Sequence, residues 1–278
     1  MGVTTQWYPL DQLEKAEEIY VERKIVFFDV DGTLLTEDKQ LLTSTRDAVR
    51  RLRENGIYAA IASGRMPKQL EDICRELDIH SYVSINGQYV VFEGEEIYSN
   101  PIAIEQLTDL TDLANKHGHV LTYVNHEMLC ANHLNDPLLD VIYGELQLAK
   151  PSLDPDFYKQ NPIYQSIIFC SPEFAKEYME RFPQFGFIHW HDYALDIIPL
   201  GSSKAVGIQK MLEHGHFSLE HTYAFGDGLN DLEMLETVGH GVAMGNAVLE
   251  AKQKARYVTA SCNEDGIAKG LSMLGLLD

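Results

Sequence analysis

The chain has 278 residues, 45% hydrophobic and 23% charged, with a formal net charge of −20. This is ordinary globular composition with enough chain for a sizeable core. The acidic excess argues against a nucleic-acid backbone or an anionic membrane as partner, because both need a basic footprint. An anionic substrate would have to be held by local cations against the field of the whole protein.

The four cysteines, Cys74, Cys130, Cys170 and Cys262, lie far apart and form no CxxC pair. That spacing fits reduced thiols better than a disulfide framework or a zinc site. No apolar run reaches ~18 residues, and the N-terminus lacks the apolar core of a signal peptide. A soluble, cytoplasmic protein is expected, and nothing implies a protein partner.

Residues 1–22 read as an extension of unassigned role. "KIVFFDV" (24–30) is a continuous apolar run with β-branched and aromatic members, the pattern of a strand covered on both faces. "TSTRDAVRRLRENG" predicts a helix with a Thr/Ser cap and a left-handed stop at Gly56. The strand "IYAAIAS", the helix "PKQLEDICREL" and the strand "SYVSI" follow. This alternation predicts a parallel sheet with helices on both faces.

The pattern then changes. "GQYVVFEGEEIYSN" reads as a hairpin, followed by a helix near 102–116, strands near 119–131 and a helix near 136–146. "KPSLDPDFYKQNP" reads as a Pro-rich loop, and the next four segments as strand, helix, strand, strand. From 202 the first pattern resumes, with a helix from Ser203 to His214, the strand "TYAFGD" and further alternation to a final helix from Asp265. The expected architecture is α/β: a doubly wound parallel-sheet core over 23–86 and 198–278, with an inserted α+β unit over 87–197.

Four clusters fall at carboxyl ends of predicted strands or at the helix starts beside them, the rim where open α/β sheets build their sites. Asp29, Asp31 and Gly32 fit an Asp/Gly turn, but they also place two carboxylates at the end of a buried strand. Ser63 and Gly64 open a helix, as a simple cap or as an anion nest. Lys204, in the first turn of its helix, opposes the helix dipole unless an anion lies beside it; a solvated surface lysine is the alternative. Asp227 ends a strand, and Asp231 suits either a helix start or a metal site.

Gathered on one rim, Asp29, Asp31, Asp227 and Asp231 would raise one another's pKa and destabilise the fold unless a cation lay among them. Oxygen-only donors select a hard cation, Mg²⁺ before others. Carboxylates, metal, lysine and a Ser/Gly nest together describe a phosphate site.

These motifs, DxDGTL, Ser-Gly-Arg, a lone helix-start Lys and GDGxND, resemble in order and position those of the haloacid dehalogenase superfamily of phosphatases. The insertion between "INGQYV" and "DIIPLGSSK", with "AMGNA" and "NEDGIAKGL" later, is similar to the Cof-type (IIB) subfamily and its large cap. The resemblance covers roughly 24–278. It implies a nucleophile, Asp29, that takes up the phosphoryl group, and an acid/base, Asp31. It also implies Mg²⁺ held by Asp29, the Asp31 carbonyl and Asp227, with Asp231 direct or supporting. Val30, Ser63, Gly64, Lys204 and Asn230 would bind phosphate oxygens. The cap would act as a lid, with Arg65, Asn86, Tyr123, Asn125 and His126 as candidates to face a small phosphorylated metabolite. A phosphomutase, a catalytically silent metabolite-binding protein on the same scaffold, and a DxD glycosyltransferase are the rival readings.

Overall fold

The computed structural model describes residues 23–145 and 149–278. The expected extension over 1–22 lies outside them. The first half of the core runs β1 (Ile25–Phe28), α1 (Thr43–Glu54), β2 (Tyr58–Ala62), α2 (Pro67–Leu77), β3 (Ser81–Ser84), β4 (Tyr89–Phe92) and β5 (Glu95–Ser99). The inserted unit runs α3 (Ile104–His117), β6 (Leu121–Val124), β7 (Leu129–Ala131), α4 (Pro137–Glu145), β8 (Ser152–Leu153) and α5 (Phe157–Gln160). It continues with β9 (Gln165–Phe169), α6 (Pro172–Arg181), β10 (Phe185–His191) and β11 (Ala194–Pro199). The core then closes with α7 (Lys204–Gly215), β12 (Thr222–Gly226), α8 (Leu232–Thr237), β13 (His240–Ala243), α9 (Leu249–Lys254), β14 (Tyr257–Val258) and α10 (Gly266–Met273).

The core sheet has the order β14-β13-β12-β1-β2-β3-β4-β5. It is parallel from β14 to β3. β1 is buried at every position, and its side chains alternate between two apolar layers. Val26 and Phe28 pack with Val49 and Leu52 of α1, Leu70 of α2 and Leu271 of α10. Ile25 and Phe27 pack with Ile208 and Met211 of α7. The chain winds from β1 toward β3 on one side and from β12 toward β14 on the other. The β1/β12 boundary is therefore the switch point, where a crevice opens at the strands' carboxyl ends.

The hairpin β4–β5 corrects the expected boundary. It pairs antiparallel with β3 and extends the core sheet, so the inserted unit begins near residue 100, not at 87. Alternating polarity marks a strand without naming its partner. The turn itself is as expected: Glu93 and Gly94 both take positive φ, as primed hairpin turns require. The expected Pro-rich loop contains the short elements β8 and α5. Helix α1 starts after Leu42, whose apolar side chain offers no cap, instead of at the expected Thr/Ser cap; Ser44, inside the first turn, donates its hydroxyl to Asp265 at 2.5 Å.

The cap sheet has the order β10-β11-β9-β6-β7-β8 and is antiparallel apart from β7–β8. One face packs on α3 and α6 through Leu121, Tyr123, Ile168, Leu195 and Ile197. The opposite face carries Val124, Gln165, Ile167 and Asp196. Part of it lies under α4, and part meets the core where Val124 and Tyr164 join Ile85, Tyr89 and Val91. His126 stacks on Tyr89 with ring centroids 5.3 Å apart and planes 5° from parallel. Its carbonyl accepts the Lys68 N–H at 3.3 Å. The cap is thus seated on the core. Among the described residues no helix is long and apolar enough to cross a membrane.

Candidate active site

Asp29 follows β1 directly, and its N–H continues the sheet ladder to the Phe225 carbonyl at 2.9 Å. The chain then turns at Gly32, whose φ is +76°. A Cβ there would lie 2.3 Å from Asp227 Oδ2. Glycine thus both permits the turn and lets the Asp227 carboxylate come close. Thr33 Oγ1 donates to Asp227 Oδ1 at 3.0 Å, tying the loop after β1 to the end of β12.

Lys204, the first residue of α7, is fully buried. Its Nζ donates to Asp29 Oδ1 at 2.6 Å and to Asp231 Oδ1 at 2.7 Å. Burial pulls the ammonium's pKa down, but the two carboxylates outweigh it and hold the group protonated. The placement against the helix dipole is therefore explained by anions of the protein itself, and the bland surface reading of Lys204 fails. Asp231 uses its other oxygen to accept the N–H groups of Asp227 and Gly228, each at 2.9 Å. It fixes the strand end that presents Asp227.

Asp29 is pushed up to about 7, chiefly by burial and further by the charges of Asp231 and Asp227, against the pull of Lys204. Asp227 rises to about 6, again mainly by burial, with Asp231 adding and the Thr33 hydroxyl opposing. One oxygen from each of Asp29, Asp227 and Asp231 lies within 4.8 Å of the others. One lysine against three crowded carboxylates leaves negative charge uncompensated, and all donors are oxygens. The residues fit a divalent cation of the Mg²⁺ type. Both oxygens of Asp231 already accept hydrogen bonds, so Asp29 and Asp227 are the freer donors.

Asp31 is set apart from this cluster. Arg65 grips it with two hydrogen bonds, Nε to Oδ2 at 2.8 Å and Nη2 to Oδ1 at 2.7 Å. Lys39 Nζ adds a third at 2.6 Å. Partial burial pushes its pKa up, but Arg65 and Lys39 outweigh that and hold the carboxyl below its ordinary value. Val30 has a buried side chain, and its carbonyl closes the turn by accepting the N–H groups of Thr33 and Leu35.

The buried Ser63 hydroxyl accepts the Arg65 N–H at 3.1 Å. At Gly64, a Cβ would meet the Asn86 carboxamide at 3.1 Å. Asn86 takes a left-handed φ of 51°, and its N–H bonds the Ser63 carbonyl at 3.1 Å. Asn230 stands exposed beside Asp231.

The cap candidates divide. Asn86 reaches the cap through Nδ2, which donates to Gln165 Oε1 at 3.3 Å. His126 lies in the seam between cap and core. Asn125 builds the turn after β6, its Oδ1 accepting from Glu127 and Met128. Tyr123 is a correction: it lies on the cap sheet's other face, buried against Tyr158 and bonded to Thr111 at 2.9 Å. Residue Val124 beside it faces the core, because side chains alternate along a strand. Sequence reasoning missed Lys39, Gln165, Asp196 and Trp190. Asp196 interrupts the apolar strand "ALDIIP", the same anomaly that singles out Asp29 and a usable signal.

Fold and site define a phosphatase built on an α/β core with a cap. Residues 26–271 match the family of haloacid dehalogenase-like hydrolases, and the chain belongs to that family, as a Cof-like (subclass IIB) member. It is 43% identical over 257 residues to YkrA of Bacillus subtilis (strain 168), whose name marks it as a candidate phosphatase. That match spans 92% of this chain and 100% of the relative. A crystal structure of a hypothetical protein from Geobacillus kaustophilus HTA426 is similar at TM-score 0.89 and 48% identity, covering 91% of this chain and 99% of that one. The subclass IIB sugar phosphatase BT4131 is similar at TM-score 0.78 and 31% identity, with 91% and 99% covered.

Proposed function

We propose that the protein is a Mg²⁺-dependent phosphatase that hydrolyses small phosphorylated metabolites, sugar phosphates or similar monoesters, through an aspartyl-phosphate on Asp29. The observation that carries this reading is the buried Lys204 bridging Asp29 and Asp231 beside Asp227 at the switch point. The 31% identity to a named sugar phosphatase supports the substrate class.

A carboxylate and a phosphate dianion ~4 Å apart repel by about 8 kcal/mol at an effective dielectric near 20. Lys204 offsets part of that repulsion, and a Mg²⁺ held by Asp29 and Asp227 would supply further positive charge at the phosphoryl oxygens. Asp29 Oδ attacks phosphorus while the P–O bond to the leaving group breaks, and the departing oxygen takes a proton from Asp31. Water then attacks the phosphoryl group, its proton goes to Asp31, and Asp29 and inorganic phosphate are released. Asp31, held ionised by Arg65 and Lys39, is in the state the second step needs. An arriving dianion competes for both cations and raises the proton affinity of Asp31 for the first. Ser63, the Gly64 backbone, the Val30 N–H and Asn230 orient the phosphate oxygens.

The test is phosphate release from a panel of phosphomonoesters with and without Mg²⁺, for wild type and Asp29→Asn. Metal-dependent release that disappears in Asp29→Asn is expected. Return of the phosphoryl group to a sugar instead of water would identify a mutase. No turnover of any ester would leave a binding protein on this scaffold.

A further inference from the structure

We propose that Gln165, Asp196 and Trp190 form the leaving-group subsite of the cap, and that it selects an uncharged, hydroxyl-bearing group such as the sugar of a sugar monophosphate. This rests on the phosphatase reading above and narrows its substrate class.

Asp196 sits on β11 between Leu195 and Ile197, whose side chains enter the cap's interior. Its own side chain therefore faces the core-facing side of the sheet, in register with Ile167 of β9 and Ile188 of β10. The Trp190 indole N–H donates to Asp196 Oδ1 at 2.8 Å, and the Gln165 amide lies near enough to favour the ionised carboxyl. Neither partner is a cation. One uncharged donor occupies part of a carboxyl that can accept about four hydrogen bonds, and the residue is only half-buried. Burial alone pushes its pKa up to about 7.

The network has a direction. Gln165 Oε1 takes the Asn86 NH₂ at 3.3 Å, which leaves the Gln165 NH₂ as the end turned to Asp196. That leaves Asn86 Oδ1, on a residue only 3% exposed, without a partner beside Gly64. A run of polar side chains thus leads from the expected phosphate loop to the cap, with an unpaired acceptor at the inner end and a carboxyl at the outer end. Unsatisfied buried acceptors call for donors. Hydroxyl groups supply them, while a second phosphate or carboxylate on the substrate has no donor to offer and would oppose the ionised form of Asp196. Trp190 sits at a bulge in β10, where the register shifts between His189 and His191. Bulges re-aim side chains; this one lets the indole anchor Asp196 while leaving 39% of the residue exposed, a flat wall for a ring.

The experiment compares kcat/KM for glucose 6-phosphate and other hexose and pentose monophosphates with kcat/KM for p-nitrophenyl phosphate, which has no hydroxyl to offer. Asp196→Ala is expected to lower the sugar-to-aryl ratio about tenfold or more. Trp190→Phe keeps a ring but loses the N–H that anchors Asp196, and it should lower the ratio by a smaller factor. As a conservative change at a half-open position it also serves if Asp196→Ala fails to fold. Unchanged ratios in the folded variants, or equal losses on both substrates, would overturn the subsite. So would a wild type that cleaves p-nitrophenyl phosphate but no sugar phosphate, while leaving the phosphatase reading standing. Failure on every ester would remove both.

Discussion

Lys204 Nζ lies 2.6 Å from Asp29 Oδ1, and both side chains are withdrawn from solvent. The pair crosses the switch point, joining the end of β1 to the start of α7. Replacing Lys204 by Met keeps the length and removes the charge, so Asp29 and Asp231 are left facing each other with no cation. Breaking a buried pair in this way costs about 3–5 kcal/mol. Turnover should fall by ~100-fold or more, because the cation acts where negative charge gathers in phosphoryl transfer. Urea unfolding and phosphate-release kinetics measure the two effects. Wild-type stability in Lys204→Met would show that the pair contributes nothing.

The carboxylate cluster also sets a coupling between pH and metal. Asp29, raised to about 7, and Asp227, raised to about 6, bind protons more tightly folded than unfolded. In metal-free protein their ionisation therefore opposes folding. Stability should rise as pH falls from about 8 to about 5, by a few kcal/mol at ~1.4 kcal/mol per pKa unit. Asp196, raised to about 7, adds in the same direction, and Asp31, lowered, acts against it. A cation binds the ionised carboxylates, so Mg²⁺ should stabilise the protein more at the higher pH. Thermal melts at both pH values, with Mg²⁺ and with chelator, decide this. Equal stabilisation at both would count against the carboxylates as the metal's ligands.

Much of the site is legible in the sequence, for a physical reason. A carboxylate at the end of a fully buried strand is costly, so Asp29 and Asp227 stand out from the residue pattern alone. Lys204 stands out because it opposes the helix dipole. What stays hidden depends on partners far apart in the chain. The hairpin β4–β5 looks the same whichever sheet it joins, and only pairing with β3 assigns it to the core. Tyr123 and Val124 are neighbours, and which of them faces the site depends on register. Arg65 reads in the sequence as a candidate to face the substrate, whereas its bidentate hold on Asp31 is fixed by loop geometry that spacing does not encode.

Asp31 invites a test through the leaving group. A sugar oxygen is a poor leaving group without a proton, while p-nitrophenolate departs unaided. Asp31→Asn removes the proton donor and should slow sugar-phosphate hydrolysis by ~100-fold or more, with a smaller loss on p-nitrophenyl phosphate. Single-turnover rates on both substrates resolve the difference. Identical losses would mean that Asp31 acts on some step common to both, such as phosphate binding.

Gly87 offers a test of how the core positions Lys204. Its φ is +94°, and a Cβ there would lie 2.0 Å from the Ser203 carbonyl, one residue before Lys204. Gly56 is a natural control, with φ +74° and nothing within 4 Å of its would-be Cβ. Gly56→Ala should cost only left-handed strain, about 1–2 kcal/mol, and leave activity alone. Gly87→Ala adds a backbone clash that cannot be relieved by rotating a side chain, so the start of α7 must shift. It should cost more than Gly56→Ala, by at least ~1–2 kcal/mol. Because Lys204 moves with the helix start, it should also lower kcat, with the largest loss where Mg²⁺ is saturating and metal binding does not limit the rate. If the two alanine variants lose equal stability and both keep full activity, the close approach of Gly87 to Ser203 does not set the position of Lys204.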